Sequence, residues 1–260
     1  MIVAVGFLAL GYVAICTLMF LNQRSQIYFP TPAITRADLG TLVVESGGEQ
    51  LKLSRVGSRS DDPAAPALLY FGGNAESVEG NSADFATAFP NHAIYLVNYR
   101  GYGGSTGAPS ETGFFADAEA VHDAIAARHP GRGIAVIGRS LGSGVATHLA
   151  AARSIERLVL VTPFDSLVNV AAGHYRWLPV RLLLQERFES VERVRAGAVR
   201  VPTLIVIAAD DEVVPAARGE ALVAAFPAGQ VQVLRLAGAR HNSVGMFPEY
   251  LRTLSRFISG

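Results

Sequence analysis

The stretch Gly138-Arg139-Ser140-Leu141-Gly142 decides the fold. An apolar run with β-branched residues, 133–137, precedes it, and a helical stretch of mostly small residues, 143–151, follows it. This order predicts a strand, a sharp turn and a helix, with Ser140 at the apex of the turn. Glycines are needed on both sides because a side chain there would collide with the crossing strand and helix. A serine in this context is typical of a nucleophile; a plain Gly-Ser turn is the alternative.

An acidic cluster follows a later strand. Residues 201–209 form an apolar run that indicates a buried parallel strand, and Asp210, Asp211 and Glu212 come directly after it. A carboxylate that orients a histidine belongs at this point of such a sheet. We prefer Asp211 because it stands four residues before Pro215, in a D-x-x-V-P spacing. Asp210 and Glu212 remain alternatives, since acids also cluster where a helix begins, for its dipole alone.

His241 is the candidate general base. It lies in a loop of small residues after the last predicted strand, 231–236, from where an imidazole can reach Ser140. The chain has six histidines, and only His241 follows that strand. The order Ser140, Asp211, His241 is the one that serine nucleophiles of open α/β sheets use. In such a set the imidazole takes the serine proton, and the carboxylate fixes the imidazole.

Two backbone N–H groups are expected to bind the oxyanion that forms when the serine attacks an acyl carbonyl. Leu141 supplies one, because it directly follows the nucleophile. We assign the other to Asn74, in the loop 72–76 after the predicted strand 67–71. The alternative for this loop is a plain Gly-Gly turn.

The N-terminus is predicted to be a separate unit. Residues 2–21 carry no charge, and at 1.5 Å per residue they span roughly 30 Å, the thickness of a bilayer core. A permanent single-pass anchor, residues 1–24, is preferred to a signal peptide because no basic leader or small-residue cleavage site is evident. A buried core helix is the third alternative. Arg24 and Arg36 follow the span, so the positive-inside rule predicts a catalytic domain facing the cytoplasm.

Residues 25–260 are expected to form one α/β domain. A predicted hairpin, strands 41–46 and 50–56, is followed by alternating strands and helices. The alternation predicts a mostly parallel eight-stranded sheet with helices on both faces.

Residues 163–200, the insertion, interrupt the alternation and are too long for a simple loop. We expect them to form a short helical lid over the Ser140 pocket. Its apolar side chains either line a substrate site or belong to ordinary core. The candidates for substrate binding are Trp177, Leu183 and Phe188.

The amino-acid composition limits which binding partners we expect. The chain has 22 basic and 22 acidic residues and no basic stripe with aromatics, so we expect no nucleic-acid partner. The single cysteine, Cys16, excludes an internal disulfide. We expect no metal and no cofactor, and the sequence indicates no oligomeric state.

Several segments together resemble a known group. They extend from about residue 22 to residue 247 in a specific order: Gln23 to Pro30, Phe71 to Glu76, Asn98 to Ser105, Pro109 to Glu111, Gly138 to Gly144, Pro163 to Ser166, Leu178 to Leu184 and Gly238 to Asn242. The chain is similar to the small membrane-anchored serine hydrolases related to the bud-emergence suppressor, within the α/β-hydrolase superfamily. It also resembles the protein depalmitoylases of that superfamily and, more remotely, serine aminopeptidases.

The resemblance implies an α/β-hydrolase fold and hydrolysis of an ester or thioester, with a small acyl ester or a lipid-like molecule as substrate. Two positions depart from the group's pattern: Gly72 stands where a histidine is usual, and Asn98 stands where an aspartate is common. A peptidase or amidase using the same three residues is the alternative activity. A non-catalytic membrane-bound scaffold is the alternative of another class, although a scaffold needs none of the three.

Overall fold

The computed structural model of the protein describes residues 2–260, so the first residue of the predicted anchor lies outside the described residues. The strands are β1 (Gly40–Ser46), β2 (Glu49–Val56), β3 (Ala67–Phe71), β4 (Ala93–Val97), β5 (Ile134–Arg139), β6 (Arg157–Val161), β7 (Thr203–Ala208) and β8 (Val231–Leu236). The helices are α1 (Ile2–Leu21), α2 (Gln23–Ile27), α3 (Ser82–Ala88), α4 (Glu111–Arg128), α5 (Leu141–Ala152), α6 (Leu167–His174), α7 (Val180–Leu183), α8 (Ser190–Arg195), α9 (Ala216–Val223) and α10 (Pro248–Ser259). Short 3-10 turns cover Ser58–Asp61, Val78–Asn81 and Val244–Met246.

All eight strands form one sheet, in the order β1-β2-β4-β3-β5-β6-β7-β8. The pairs β1–β2 and β2–β4 are antiparallel, and every other neighbouring pair is parallel. The predicted mostly parallel eight-stranded sheet is therefore confirmed. Because parallel strands end at the same edge, the residues that follow β5, β7 and β8 meet there.

Two apolar cores cover the two faces of the sheet. Every residue of β3, β4 and β7 is buried, which explains why these strands are continuous apolar runs without alternation. Leu69 and Phe71 belong to the first core, and Leu68 and Tyr70 to the second, because successive side chains of a strand point to opposite faces. Helices α4, α5 and α8 contribute to the first core, and α3 and α10 contribute to the second.

Helix α1 differs from all the others in its surroundings. Its segment Ala4–Leu21 is long and apolar enough to cross a membrane, and none of those residues is buried. An N-terminal signal sequence meets the same criteria of length and composition, so the helix fits an anchor and a signal equally. Its exposed apolar surface excludes the buried core helix that was one alternative for this segment.

Helix α2 connects α1 to the domain and packs against the insertion. Gln23 is buried; its amide donates to the Leu183 carbonyl at 3.4 Å and accepts from the Gln185 N–H at 2.8 Å. Arg24 forms an ion pair of 2.8 Å with Glu186, which also accepts from Tyr28. The anchor boundary predicted at residue 24 therefore falls inside an element that contacts the domain.

Candidate active site

Ser140 occupies a strained turn between β5 and α5. Its backbone has φ +50° and ψ −115°, a conformation that side chains rarely adopt. The Ser140 N–H donates to the Val161 carbonyl at 2.9 Å, which fixes the turn to the end of β6. A side chain at Gly138 would collide with Gly142 and Ala146, and one at Gly142 would collide with the end of β3. Both glycines of the motif are thus required by close packing, as predicted.

A chain of hydrogen bonds joins Ser140 to His241 and Asp211. The Ser140 hydroxyl lies 2.9 Å from His241 Nε2, and His241 Nδ1 lies 2.7 Å from Asp211 Oδ2. The other Asp211 oxygen accepts from the N–H groups of Val213 and Val214, at 2.9 and 2.7 Å. The side chains of His241 and Asp211 are only 6% and 2% exposed, so the pair is shielded from water. These two donors leave Asp211 one oxygen for the imidazole and hold it in place.

Neither of the two competing acids contacts the imidazole, although Glu212 accepts from the His241 backbone N–H at 3.4 Å. Asp210 is exposed, and its N–H donates to the Ala239 carbonyl at 2.9 Å, which joins the loops after β7 and β8. Glu212 is exposed and forms a long ion pair of 3.4 Å with Arg240. Of the three acids, only Asp211 contacts the imidazole of His241.

The loop after β3 lies directly beside the serine. A Cβ placed on Gly73 would lie 3.5 Å from the Ser140 Cβ, so the backbone of this loop reaches the reacting side chain. Among residues 2–260, neither the Leu141 N–H nor the Asn74 N–H donates a hydrogen bond to another protein group. The assignment of these two groups to the oxyanion stays a prediction.

The side chain of Asn74 is held by the segment that follows α2. Its Oδ1 accepts from the Phe29 N–H at 3.0 Å and from the Tyr102 hydroxyl at 2.8 Å. Its amide group donates to the Ile27 carbonyl. These contacts fix the loop, although Gly72 stands where the group that this chain resembles usually has a histidine. The Gly72 carbonyl accepts from the Tyr99 hydroxyl at 2.8 Å, a further restraint.

Sequence reasoning missed the ion pair of Arg139 and Glu76. Arg139 precedes the serine, and its Nη1 lies 2.7 Å from Glu76 Oε2, with both side chains largely shielded from solvent. Glu76 also accepts from the Gly73 N–H at 2.6 Å and from the Tyr70 hydroxyl at 2.6 Å. Arg139 in turn donates to Asn242 Oδ1 at 2.7 Å. One charged pair thus connects the oxyanion loop, the serine turn and the histidine loop.

The electrostatics of this pair favour both charges. Burial acts to raise the pKa of Glu76, but the Arg139 guanidinium and the donors from Tyr70 and Gly73 outweigh it, so its pKa lies below the ordinary 4.5. The only sequence signal was an arginine inside the motif and a glutamate in the loop. Their pairing depends on the order of β3 and β5 in the sheet.

The three side chains of the insertion proposed to bind substrate lie in three different environments. Leu183 lines an apolar groove between the insertion and the helices α1 and α2. Trp177 is 55% exposed, beside α1. Phe188 is fully buried against Phe115 and Phe164.

Phe188 therefore presents no surface to a substrate, and the expectation that it lines the site is not supported. Its backbone has φ +44°, and its ring fills the space beside Gly144 on α5. Phe188 is buried because Gly144 has no side chain and leaves space for the ring. The sequence pattern did not distinguish a residue packed in this way from one that lines a pocket.

Comparisons with known proteins agree with the fold. A family profile described as the alpha/beta hydrolase fold matches residues 66–190. An uncharacterized protein of Mycobacterium tuberculosis is 35% identical over 251 residues, which cover 92% of this chain and 87% of that protein. The alpha/beta hydrolase domain-containing protein 17C of Xenopus laevis is 30% identical over 74% of this chain and 61% of its own length. The chain belongs to the α/β-hydrolase superfamily.

Solved structures place this α/β-hydrolase within the same fold. The Pyrococcus furiosus esterase Pf2001 superposes with a TM-score of 0.68 at 15% identity, over 89% of this chain and 97% of that chain. The enol-lactonase from Burkholderia xenovorans gives a TM-score of 0.63 at 15% identity, over 84% of this chain and all of that chain. At this level of identity the likeness establishes the fold.

Proposed function

We propose that this α/β-hydrolase cleaves carboxylic ester or thioester bonds through an acyl-enzyme on Ser140. The observation that carries the proposal is the unbroken series of hydrogen bonds from the Ser140 hydroxyl through His241 to Asp211. Ser140 is partly exposed while its two partners are buried, so a substrate can reach the nucleophile but water has little access to the pair behind it. A serine activated in this way attacks acyl carbonyls.

In the first half-reaction, His241 Nε2 accepts the proton of Ser140 as the hydroxyl oxygen attacks the acyl carbon. The carbonyl oxygen becomes an oxyanion, which the N–H groups of Leu141 and Asn74 bind. The bond to the leaving alcohol or thiol then breaks, and the leaving group takes the proton from His241. In the second half-reaction, water attacks the acyl carbon while His241 accepts its proton; the bond between the acyl carbon and the Ser140 oxygen then breaks, His241 returns the proton to that oxygen, and the acid is released.

Asp211 orients the imidazole in this scheme. Its Oδ2 holds the Nδ1–H of His241, so Nε2 is free to accept the serine proton, and its charge stabilises the imidazolium that forms. The Val213 and Val214 N–H groups keep the carboxylate in this position without neutralising it.

We also propose that α1 is a single-pass anchor that keeps the enzyme at a membrane, with the catalytic domain on the cytoplasmic side. None of Ala4–Leu21 is buried by the rest of the protein, and a bilayer is the environment that such an apolar surface requires. The contacts of Gln23 and Arg24 with the insertion support retention of the segment, because cleavage beyond them would remove native interactions.

A fluorophosphonate probe tests the catalytic role of Ser140. The wild-type protein should be labelled covalently, and Ser140→Ala should lose labelling and nearly all turnover while keeping its circular dichroism spectrum. Ser143→Ala is the matched control, because Ser143 lies one helical turn away and donates to the Ser140 carbonyl rather than to the imidazole. Labelled Ser140→Ala protein would contradict the proposal, and an unlabelled wild type would favour a scaffold.

Substrate panels separate ester hydrolysis from peptide hydrolysis. The enzyme should turn over p-nitrophenyl esters and acyl thioesters and leave aminoacyl anilides intact. Faster cleavage of the anilides would indicate a peptidase that uses the same three side chains.

A further inference from the structure

An apolar groove runs between the N-terminal helices and the insertion. Its cavity volume is about 100 Å³, it opens to the surface, and it is separate from the hydrogen-bonded residues of the candidate active site. Its walls are apolar apart from two glutamine side chains, Gln23 and Gln26. The apolar walls come from α1 and α2 on one side and from the insertion on the other, and include Met19, Phe20, Ile27, Leu178, Val180 and Leu183.

One residue that lines the groove also contacts the oxyanion loop. Ile27 lines the groove, and its carbonyl accepts a hydrogen bond from the Asn74 side chain. Asn74 is the residue whose backbone N–H is proposed to bind the oxyanion. A chain lying in the groove would therefore be directed toward the loop that borders Ser140.

Another part of the groove lies along α1. Met19 and Phe20 belong to the last turn of the apolar helix, so this wall is continuous with the surface that requires a bilayer. The Tyr12 hydroxyl donates to the Trp177 carbonyl at 2.9 Å. Tyr12 precedes the end of α1 by nine residues, which is about 14 Å along the helix axis. The insertion consequently extends alongside α1 as far as the middle of that helix.

The side chains at this tip of the insertion suit a lipid environment. Leu182 is 85% exposed, and Tyr175 and Trp177 are 44% and 55% exposed. Arg176 and Arg181 are exposed among them, and such long side chains can extend their charged ends to a membrane surface. Aromatic residues with flanking arginines are typical of segments that enter a membrane interface.

We infer that residues 175–184 enter the bilayer beside α1 and that the groove takes the acyl chain of a membrane-resident ester or thioester. The inference rests on the proposed function, since it names the substrate class of the same serine. The acyl chain passes from the lipid phase along Met19 and Phe20 to Ile27, and the carbonyl it carries meets Ser140. A membrane enzyme built in this way need not wait for its substrate to leave the bilayer.

Trp177 makes the first part of the inference measurable, because it is the chain's one tryptophan. The full-length protein is reconstituted in phosphatidylcholine vesicles whose acyl chains carry bromine at defined depths. We expect a blue-shifted Trp177 emission that brominated lipids quench by at least about two-fold. The control is the double variant Trp177→Phe/Arg252→Trp, which moves the probe to an exposed position on α10, over the other core. Equal quenching of both proteins, or of neither, would overturn insertion of the tip.

A matched pair of variants on α6 tests the groove. Ala171 lines the groove, whereas Ala172 lines a separate hollow beside Arg218. Ala171→Phe should lower the ratio of kcat/KM for palmitoyl over acetyl esters by at least about ten-fold, because the added ring fills the space of the chain. Ala172→Phe should leave that ratio unchanged. Leu183→Ser gives a second groove variant in case Ala171→Phe does not fold.

The outcomes separate the two proposals. If no ester is hydrolysed in a Ser140-dependent way, the proposed function fails, whatever the fluorescence shows. If acetyl esters are hydrolysed through Ser140 and all variants keep the wild-type ratio, the hydrolase stands and the groove is not the acyl site.

Discussion

The Arg139 guanidinium and the Glu76 carboxylate form an ion pair, with 2.7 Å between Nη1 and Oε2, directly behind the candidate nucleophile. Glu76 holds the Gly73 N–H, and Arg139 holds the side chain of Asn242, next to His241. The oxyanion loop, residues 72–76, and the loop that carries His241 are therefore held by the same ion pair. Neither charged group is hydrogen-bonded to the Ser140 hydroxyl or the His241 imidazole, so we expect both to act by positioning other groups.

Asp211→Asn should lower turnover by about 10³–10⁴-fold, because the amide no longer fixes the imidazole with Nε2 free to accept the serine proton. Asp210→Asn is the matched control and should stay within a few-fold of the wild type, since its side chain does not contact His241. The measurement is kcat for a p-nitrophenyl ester at pH 8. A damaging Asp210→Asn with a mild Asp211→Asn would exchange the roles of the two acids.

Arg139→Gln should reduce kcat by about ten- to a hundred-fold with a smaller change in KM, because the oxyanion loop and the histidine loop lose their common partner. Unfolding should become easier by up to about 3 kcal/mol, since Glu76 remains largely buried without its counter-charge. The double variant Glu76→Gln/Arg139→Gln should recover part of the stability but not of kcat. Arg153→Gln, which breaks the more exposed ion pairs with Asp123 and Glu119, is the control and should change neither quantity strongly.

The stability of the protein should fall as the pH is lowered below about 4.5, and Glu76 should contribute to that fall. The pKa of Glu76 is lower in the folded state than its ordinary value, so in acid the unfolded chain binds this proton first. The stabilising contribution is thus complete above 4.5 and is lost as the pH falls through the folded pKa. Urea unfolding of the wild type and of Glu76→Gln between pH 3 and 7 measures it. The variant should show a shallower slope, by at most about 1.4 kcal/mol per pH unit; parallel curves would show that Glu76 does not contribute.

Gln23→Ala should lower the melting temperature of the protein in detergent micelles by several degrees. The substitution removes the bond to the Gln185 N–H and leaves that group without its partner, at a cost of about 1–3 kcal/mol. Ser25→Ala should have little effect, because Ser25 is exposed and donates only to the Asn22 carbonyl within the same segment. Equal melting temperatures of the two variants would indicate that α2 does not stabilise the domain.

The sheet and the hydrogen-bonded residues were predictable because each has a local signature. Apolar runs bounded by turn residues located the strands, and the position of Ser140, Asp211 and His241 after three of them brought the side chains to one edge. The D-x-x-V-P spacing also selected the acid that contacts the imidazole. The order of the strands in the sheet brings the residues that carry these signatures together in one site.

Contacts between segments distant in sequence were not predictable. Glu76 and Arg139 are separated by 63 positions, and nothing in either segment indicates the other as its partner. Gln23 and its partner in the insertion are 162 positions apart, and neither segment indicates the other. The prediction of a separate anchor therefore did not include this contact. Phe188 was assigned to a substrate site because an apolar side chain in a helical insertion suits a pocket and a core equally well.

The attachment of Asn74 to Ile27 and Phe29 has a consequence for proteolytic release of the enzyme. A protease that cuts just after Leu21 would free a domain that keeps both backbone partners of this side chain. A cut after Pro30 would free a domain that retains Ser140, His241 and Asp211 but leaves the Asn74 side chain with Tyr102 and without the Phe29 N–H and the Ile27 carbonyl. We therefore expect shedding at the first position to preserve the shape of the oxyanion loop and shedding at the second to loosen it.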